Sequence, residues 1–299
     1  MYALEINHVT KTYSNNFKAL DDVNFTLKEG DFVGLLGVNG AGKTSLISSV
    51  AGINSFHGEI KVMGHDVLSD VVNAKRNIGV VPQEIAFDPF LTVMQTLKFQ
   101  SGIYGVNDNQ KWLDELLERM HLQDKAHANT RSLSGGMKRR LMVAQALVHK
   151  PSLIILDEPT VGVDVEIRKN IWDFISELHQ QGHTILLTTH YLEEVEKLCN
   201  RIIMIDKGKI IAQSSKDELI NQAGDLPSTL ELTTVNGRFV AVLSDLIIGR
   251  DGNKYILRLS GHEQIATILN ALVSNNVIIE NININKPKLE DIFLHYLGR

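Results

Sequence analysis

Apolar and polar positions change their period several times along this chain, and each change predicts an element. Residues 2–9 alternate, and 18–27 offers two more short alternating runs, so the chain opens as an antiparallel layer. After a Gly30-Asp31 turn, Asp31-Phe32-Val33-Gly34-Leu35-Leu36 is nearly continuous in apolar residues, as a strand covered on both faces should be. Residues 45–51 read as a helix. Short strands follow at 58–62 and 78–81, the second running into Pro82-Gln83-Glu84. From 92 to 150 the spacing becomes helical: Val93, Leu97 and Ile103, then Trp112, Leu113, Leu116, Leu117 and Met120, then Leu141, Ala144, Leu147 and Val148. The spacing predicts a mostly helical insert of three or four helices, set at about 88–150.

Strand signals resume at Leu153-Ile154-Ile155-Leu156, an apolar run that stops at Asp157-Glu158-Pro159. A helix over 165–181 has Ile167, Ile171, Phe174, Ile175 and Leu178 on its inner stripe, with Gly182 closing it. A buried strand at 183–187, a helix at 192–198 and a hairpin of 201–205 and 209–213 about Lys207-Gly208 complete the series. Strands alternating with helices predict an α/β core of three layers around a parallel sheet. Near 222–228 the composition shifts to a linker, so the chain divides into 1–222 and 223–299. The second part reads as a small α+β domain: strands at 229–235, 238–243 and 255–259, a helix at 263–273, a strand at 277–284 and a helix at 289–297.

Composition narrows the class. Of 299 residues, 43% are hydrophobic and 22% charged, as in soluble globular proteins, and the net charge of −5 gives no electrostatic reason to expect nucleic acid. The one basic cluster, Lys138-Arg139-Arg140, reads as a solvated or salt-bridged helix face. A single cysteine, Cys199, excludes an intrachain disulfide and a thiolate metal cluster. Met1-Tyr2-Ala3-Leu4-Glu5 has no basic start or long apolar run, so no signal peptide is expected, and no stretch is apolar for long enough to span a bilayer. Any membrane role would then need a partner.

The chemistry is concentrated in Gly37-Val38-Asn39-Gly40-Ala41-Gly42-Lys43-Thr44, which fits the phosphate-loop pattern between a strand and a helix. Glycines let successive N–H groups turn inward on an anion, and the helix start adds its positive dipole end. Lys43 would reach the β- and γ-phosphates of a nucleoside triphosphate, and Thr44 would offer its hydroxyl to Mg²⁺. Asp157, at a strand's carboxyl end, is placed to hold Mg²⁺ through its water shell, and neighbouring Glu158 could polarise an attacking water. Leu133-Ser134-Gly135-Gly136-Met137 precedes a long helix and makes a second helix start able to take phosphate.

Together, 37–44, Gln83, 133–137, 153–158, Asp164 and His190 resemble the ATP-binding-cassette ATPases, with all six motifs in that family's order over about residues 2–220. The Ser-Gly-Gly element is the specific part. Met137 with Lys138-Arg139-Arg140, and the tail Leu289-Glu290-Asp291-Ile292-Phe293, look like the type 2 export ATPases that energise drug, polysaccharide or lipid exporters. Met137 stands where glutamine is commoner and Val163 where leucine is usual; no catalytic position is lost.

The resemblance implies a P-loop NTPase core with an antiparallel β subdomain, and a homodimer that sandwiches two ATP–Mg²⁺. Each ATP would lie between one chain's Gly37, Asn39, Gly40, Ala41, Gly42, Lys43, Thr44 and Ser45 and the other chain's Ser134, Gly135 and Gly136. It implies that Tyr13 stacks on adenine, that Gln83 touches Mg²⁺ and the attacking water, that Asp164 crosses the dimer interface, and that His190 contacts the γ-phosphate. It implies a separate integral membrane permease as partner, met by the helical insert and the segment including 87–91, and hence a place at the cytoplasmic face of the membrane. Two other classes stay open: a soluble cassette ATPase acting on ribosomes or nucleic acid, and a small-molecule kinase. The kinase reading leaves 133–137 and His190 unexplained. The transported substrate is not encoded here.

Overall fold

The computed structural model describes residues 1–189, 191–222, 228–235, 237, 239–259, 261, 263–285 and 287–298. The chain divides into two compact units, Met1–Ser215 and Lys216–Arg299. The second unit therefore takes in the helix Lys216–Gln222, which the composition shift had left in the first. The expected linker falls largely on 223–227, outside the described residues.

In the first unit β1 (Tyr2–Thr12) and β2 (Lys18–Lys28) form an antiparallel pair. The two short strands expected at 18–27 are one strand, because register shifts absorb the irregularity around Asp22, whose φ is 55°. The chain continues through β3 (Phe32–Leu36), α1 (Lys43–Val50), β4 (His57–Val62), β5 (His65–Asp66), α2 (Val71–Arg76) and β6 (Ile78–Val81). The insert holds α3 (Val93–Ile103), α4 (Gln110–Arg119) and α5 (Gly135–Ala146). Then come β7 (Leu153–Asp157), α6 (Val165–Gln180), β8 (Thr184–Thr188), α7 (Leu192–Leu198), β9 (Arg201–Asp206) and β10 (Lys209–Ser215).

Two sheets result, one four-stranded in the order β2-β1-β4-β5 and one six-stranded in the order β10-β9-β3-β8-β7-β6. In the larger sheet β9, β3, β8, β7 and β6 run parallel, and β10 closes an edge as a hairpin. The inner strands β3, β7 and β8 are buried at every residue, which explains their unbroken apolar runs. Leu4, Ile6 and Val9 of the antiparallel layer join Val33, Leu35, Leu46 and Ile203 in one core.

The insert is fastened to the parallel sheet at its end. At Gly79 of β6 a Cβ would lie 2.4 Å from the Ala146 carbonyl, so this position admits the close of α5 only as glycine. Trp112 Nε1 donates to the Leu147 carbonyl (2.9 Å) and Asn109 Nδ2 to the Val148 carbonyl (3.1 Å), tying α4 to the same end. The predicted inner stripes hold at Leu97, Leu113, Leu116, Leu117 and Met120, but Ile103 is 62% exposed. It stands at the last turn of α3, on the rim of a groove described below.

In the second unit α8 (Lys216–Gln222) precedes β11 (Ser228–Thr234), β12 (Ile247–Asp251), β13 (Lys254–Leu259), α9 (Glu263–Ser274), β14 (Ile279–Asn285) and α10 (Leu289–Tyr296). The strands form an antiparallel sheet in the order β12-β13-β11-β14, whose Leu230, Leu232, Leu257 and Leu259 pack on Ile268 and Leu272 of α9. The strand expected at 238–243 is not formed in its described part: Ala241–Leu246 is a 3-10 helix, and β12 follows. Gly249 sits at a register shift in the β12–β13 pairing.

His149 links α5 to β6. Its Nε2–H donates to the Ile78 carbonyl (3.0 Å), its ring stacks on Tyr104 at 3.6 Å, and burial pushes its pKa down from 6.5 to about 4. The unfolded chain takes up this proton below 6.5 while the folded chain stays neutral until about 4, so stability falls as pH drops through that window. Urea midpoints should decrease between pH values of about 7 and 4, and His149→Phe, which keeps a ring on Tyr104, should lessen the decrease.

Candidate functional site

Parallel pairing sets the site. Leu35 of β3 lies beside Thr188 of β8, Thr188 beside Asp157 of β7, and Leu156 beside Val81 of β6. The segments that follow these strands, 37–44, 158–164 and 82–84, and Thr189 after β8, therefore leave one edge of the sheet, where α/β folds bind ligands.

In the loop after β3, Gly40 and Gly42 have φ of 81° and 111°. A Cβ on Gly42 would stand 2.6 Å from the Ala19 carbonyl, so conformation and space both demand glycine. Gly42 is also the N-cap of α1 and supplies no side-chain cap, which leaves the first-turn N–H groups to a ligand. Lys43 Nζ bends back to donate to the carbonyls of Gly37 (2.6 Å) and Val38 (3.2 Å), spanning its own loop. Burial lowers the Lys43 pKa, and the facing charges of Glu158 and Asp157 oppose that shift. An ammonium and two carboxylates at one strand edge offer opposite charges to the two parts of a metal–triphosphate, the ammonium to phosphate oxygens and the carboxylates to the cation.

Asp157 is 3% exposed and accepts a hydrogen bond from the Thr188 hydroxyl. Burial raises its pKa, and the Thr188 hydroxyl works against that rise. Glu158 is half-buried, with φ of 51°, a left-handed conformation that a glutamate holds only when its surroundings impose it. One restraint is its N–H, which donates to the Thr188 carbonyl at 2.9 Å. Gln83 is exposed at the end of β6. Tyr13 is 38% exposed, its hydroxyl lies 3.1 Å from Ser45 Oγ, and Lys11 Nζ stands 4.9 Å from the ring centroid. The structure thus sets Tyr13 beside the residue that follows Thr44. His190 lies outside the described residues.

The other predicted residues occupy two helix starts. Ser134 caps α5 by accepting from the Met137 N–H (3.2 Å), and Asp164 caps α6 by accepting from the Ile167 N–H (3.0 Å). Gly135 has open space around it, and a Cβ on Gly136 would lie 3.4 Å from the Gly162 carbonyl, which sets the start of α5 against the loop before Asp164.

The basic cluster is not a solvated face. Arg139 is 2% exposed, and its guanidinium donates to the carbonyls of Pro82 (2.6 Å), Gln83 (3.0 Å), Asp157 (2.7 Å), Pro159 (3.3 Å) and Glu158. Burial lowers its pKa, opposed by Asp157 and Glu158. Arg140 donates to the Met120 (2.7 Å) and His121 (3.1 Å) carbonyls; burial lowers its pKa too, and Asp164 opposes that. Three basic residues in a row are uninformative in sequence, because only packing shows which of them turns inward.

Thr44, Gln83 and Asp157 supply hydroxyl, amide and carboxylate oxygens, the hard donors that Mg²⁺ prefers. Among the described residues no group of three or more His, Cys, Asp and Glu side chains gathers to hold a metal. Such a site fits an ion that completes its shell with phosphate and water oxygens.

The fold and this edge define a phosphate-loop nucleoside-triphosphatase with a second anion-ready helix start. Its family profile is that of the ABC transporter, matched over residues 20–161. The linearmycin resistance ATP-binding protein LnrL of Bacillus subtilis (strain 168) is 36% identical over 307 aligned residues, 99% of this chain and 98% of that protein. The Nod factor export ATP-binding protein I of Rhizobium etli is 33% identical, over 100% of this chain and 94% of its own. Among solved structures, an ATP-binding subunit of an ABC transporter superposes with a TM-score of 0.71 at 27% identity, covering 74% of this chain and 93% of that one. A dimeric ATP-binding cassette in a post-hydrolysis state with ADP and Pi gives 0.66 at 25% identity, covering 71% and 98%. The chain belongs to the ABC transporter family, as an ATP-hydrolysing nucleotide-binding subunit of the export type.

Gly42→Ala should weaken ATP binding and lower stability, because the added methyl meets a carbonyl that cannot retreat from β2. A loss of about 1–3 kcal/mol is expected from thermal or urea unfolding, with at least about a tenfold rise in Kd for a fluorescent ATP analogue.

Proposed function

We propose that two copies of this chain close face to face on two ATP molecules and pass the closing motion to a separate membrane subunit that exports a compound. The observation that carries this reading is a chain with two phosphate-ready helix starts, α1 and α5, of which α1 alone follows a strand of the edge that holds Asp157 and Glu158. One copy's phosphate loop then needs another copy's Ser134-Gly135-Gly136 to enclose the nucleotide, and Asp164 stands beside that junction. A dimeric neighbour at 25% identity supports the geometry.

Within each site Lys43 and the loop N–H groups hold the β- and γ-phosphates, Ser45 and Tyr13 border the nucleoside side, and Tyr13 offers its ring to adenine. Glu158 accepts the proton of the attacking water, or orients it, from a backbone fixed in its left-handed conformation. Gln83 and His190 contact the water and the γ-phosphate. Thr44, Gln83 and Asp157 would hold Mg²⁺, which supplies charge neutralisation of the triphosphate when bound. Cleavage removes the phosphate shared by the two copies and loosens the clamp.

The partner surface is a groove of about 690 Å³ next to Gln83, lined by Pro82, Glu84, Ile53, Val72, Ile103 and Tyr104. Ile53, Val72 and Ile103 are 74%, 63% and 62% exposed, a mainly apolar rim that suits an amphipathic helical segment of the membrane subunit. No helix among the described residues is long and apolar enough to cross a membrane, which fits a chain held at the cytoplasmic face through that partner. Relatives named for linearmycin resistance and Nod factor export support an export direction. We assign the ATPase to the first unit, Met1–Ser215, and an accessory role to the second, Lys216–Arg299.

Glu158→Gln should leave ATP binding intact and reduce steady-state phosphate release by about 100-fold or more. It should also trap a dimer in ATP, visible by size exclusion; unchanged turnover would remove Glu158 from its role.

A further inference from the structure

The hydrogen bonds of Arg139 reach beyond the chemistry assigned above. This guanidinium is buried, and it donates to main-chain carbonyls of two separate segments: Pro82 and Gln83 after β6, and Asp157, Glu158 and Pro159 at the end of β7 and beyond. These bonds restrain the backbone of the reacting edge. Only a planar guanidinium with five N–H donors can serve two diverging loops from one point, and a lysine cannot reproduce that fork. The left-handed φ of Glu158, 51°, lies in the segment so held.

Arg139 also belongs to α5, whose first residue follows Ser134. One rigid turn and a half of helix thus separates the group that encloses the partner copy's nucleotide from the anchor of this copy's own Gln83 and Glu158. We infer that Arg139 is a positioning residue that sets the backbone of Gln83 and Glu158 for hydrolysis in its own chain, and that α5 is thereby the mechanical link between the two sites of the dimer. When Ser134 docks on the opposite nucleotide, any tilt of α5 is transmitted through Arg139 to the two loops that handle water in its own site. The linkage rests on the two-copy reading proposed above; the positioning role does not.

Two measurements on the full-length chain test it. Arg139→Lys keeps a buried cation and Arg139→Gln keeps amide donors, so that at least one variant remains folded, as judged by its melting curve. Both should lower kcat for ATP hydrolysis by about tenfold or more while Kd for ATP stays within about threefold. Equal loss of binding and turnover, or normal kcat in a folded variant, would overturn the positioning role.

The second measurement mixes variants. In an Arg139→Lys chain paired with a Ser134→Ala chain, both defects fall on one site and the other site is intact, so the mixture should hydrolyse ATP well above either variant alone. If Arg139 merely supported its own helix start, the defects would fall on different sites and the mixture would stay inactive. Lys43→Ala mixed with Ser134→Ala is the control for the sandwich itself. Should that control fail to recover, the two-copy reading and the α5 link fall together, and the split between kcat and Kd decides the positioning role.

Discussion

Everything at the reacting edge depends on the parallel register of β3, β8, β7 and β6. Because these strands run the same way, their carboxyl ends share one edge, and residues distant in sequence leave it side by side. Burial of every residue in the inner strands makes that register costly to slip. The meeting of the phosphate loop, the acidic pair Asp157-Glu158 and Gln83 at one edge is a consequence of this pairing.

Around that edge, charges are held in balance by burial. Lys43 faces Asp157 and Glu158; burial lowers the Lys43 pKa, which a phosphate would relieve, and raises that of Asp157, which a bound cation would relieve. Thr188 serves twice, with its hydroxyl on Asp157 and its carbonyl on the Glu158 N–H. Arg139 adds a third restraint through the carbonyls of Gln83 and Asp157, so that a surface-looking basic run holds the loop ends.

The helical insert couples to this edge through α5. Its far end packs on Gly79, its second turn holds the loop carbonyls, and its start presents Ser134. A single helix thus touches the groove beside Gln83 and the backbone of Gln83 and Glu158, and begins at Ser134. The groove also takes its rim from Ile103, which the periodic pattern had placed in the core; an apolar residue at the last turn of a helix is buried only if another element covers that end.

Local sequence determined much of this protein. The phosphate loop is dictated by its glycines, since Gly40 and Gly42 take conformations that other residues resist, and the flanking strand and helix follow from apolar period. The Ser134 cap is likewise legible, because a serine before a helix can accept from an N–H three residues on; that Asp164 caps α6 in the same way came with the structure. What the tertiary structure decided are the contacts between distant segments: Arg139 on carbonyls at the ends of β6 and β7, Tyr13 against Ser45, and the pairing of the strand at Ile247–Asp251. Periodicity reports only whether a residue meets water or core. Which buried polar group meets which backbone oxygen is set by the packing of whole elements, and no local pattern encodes it.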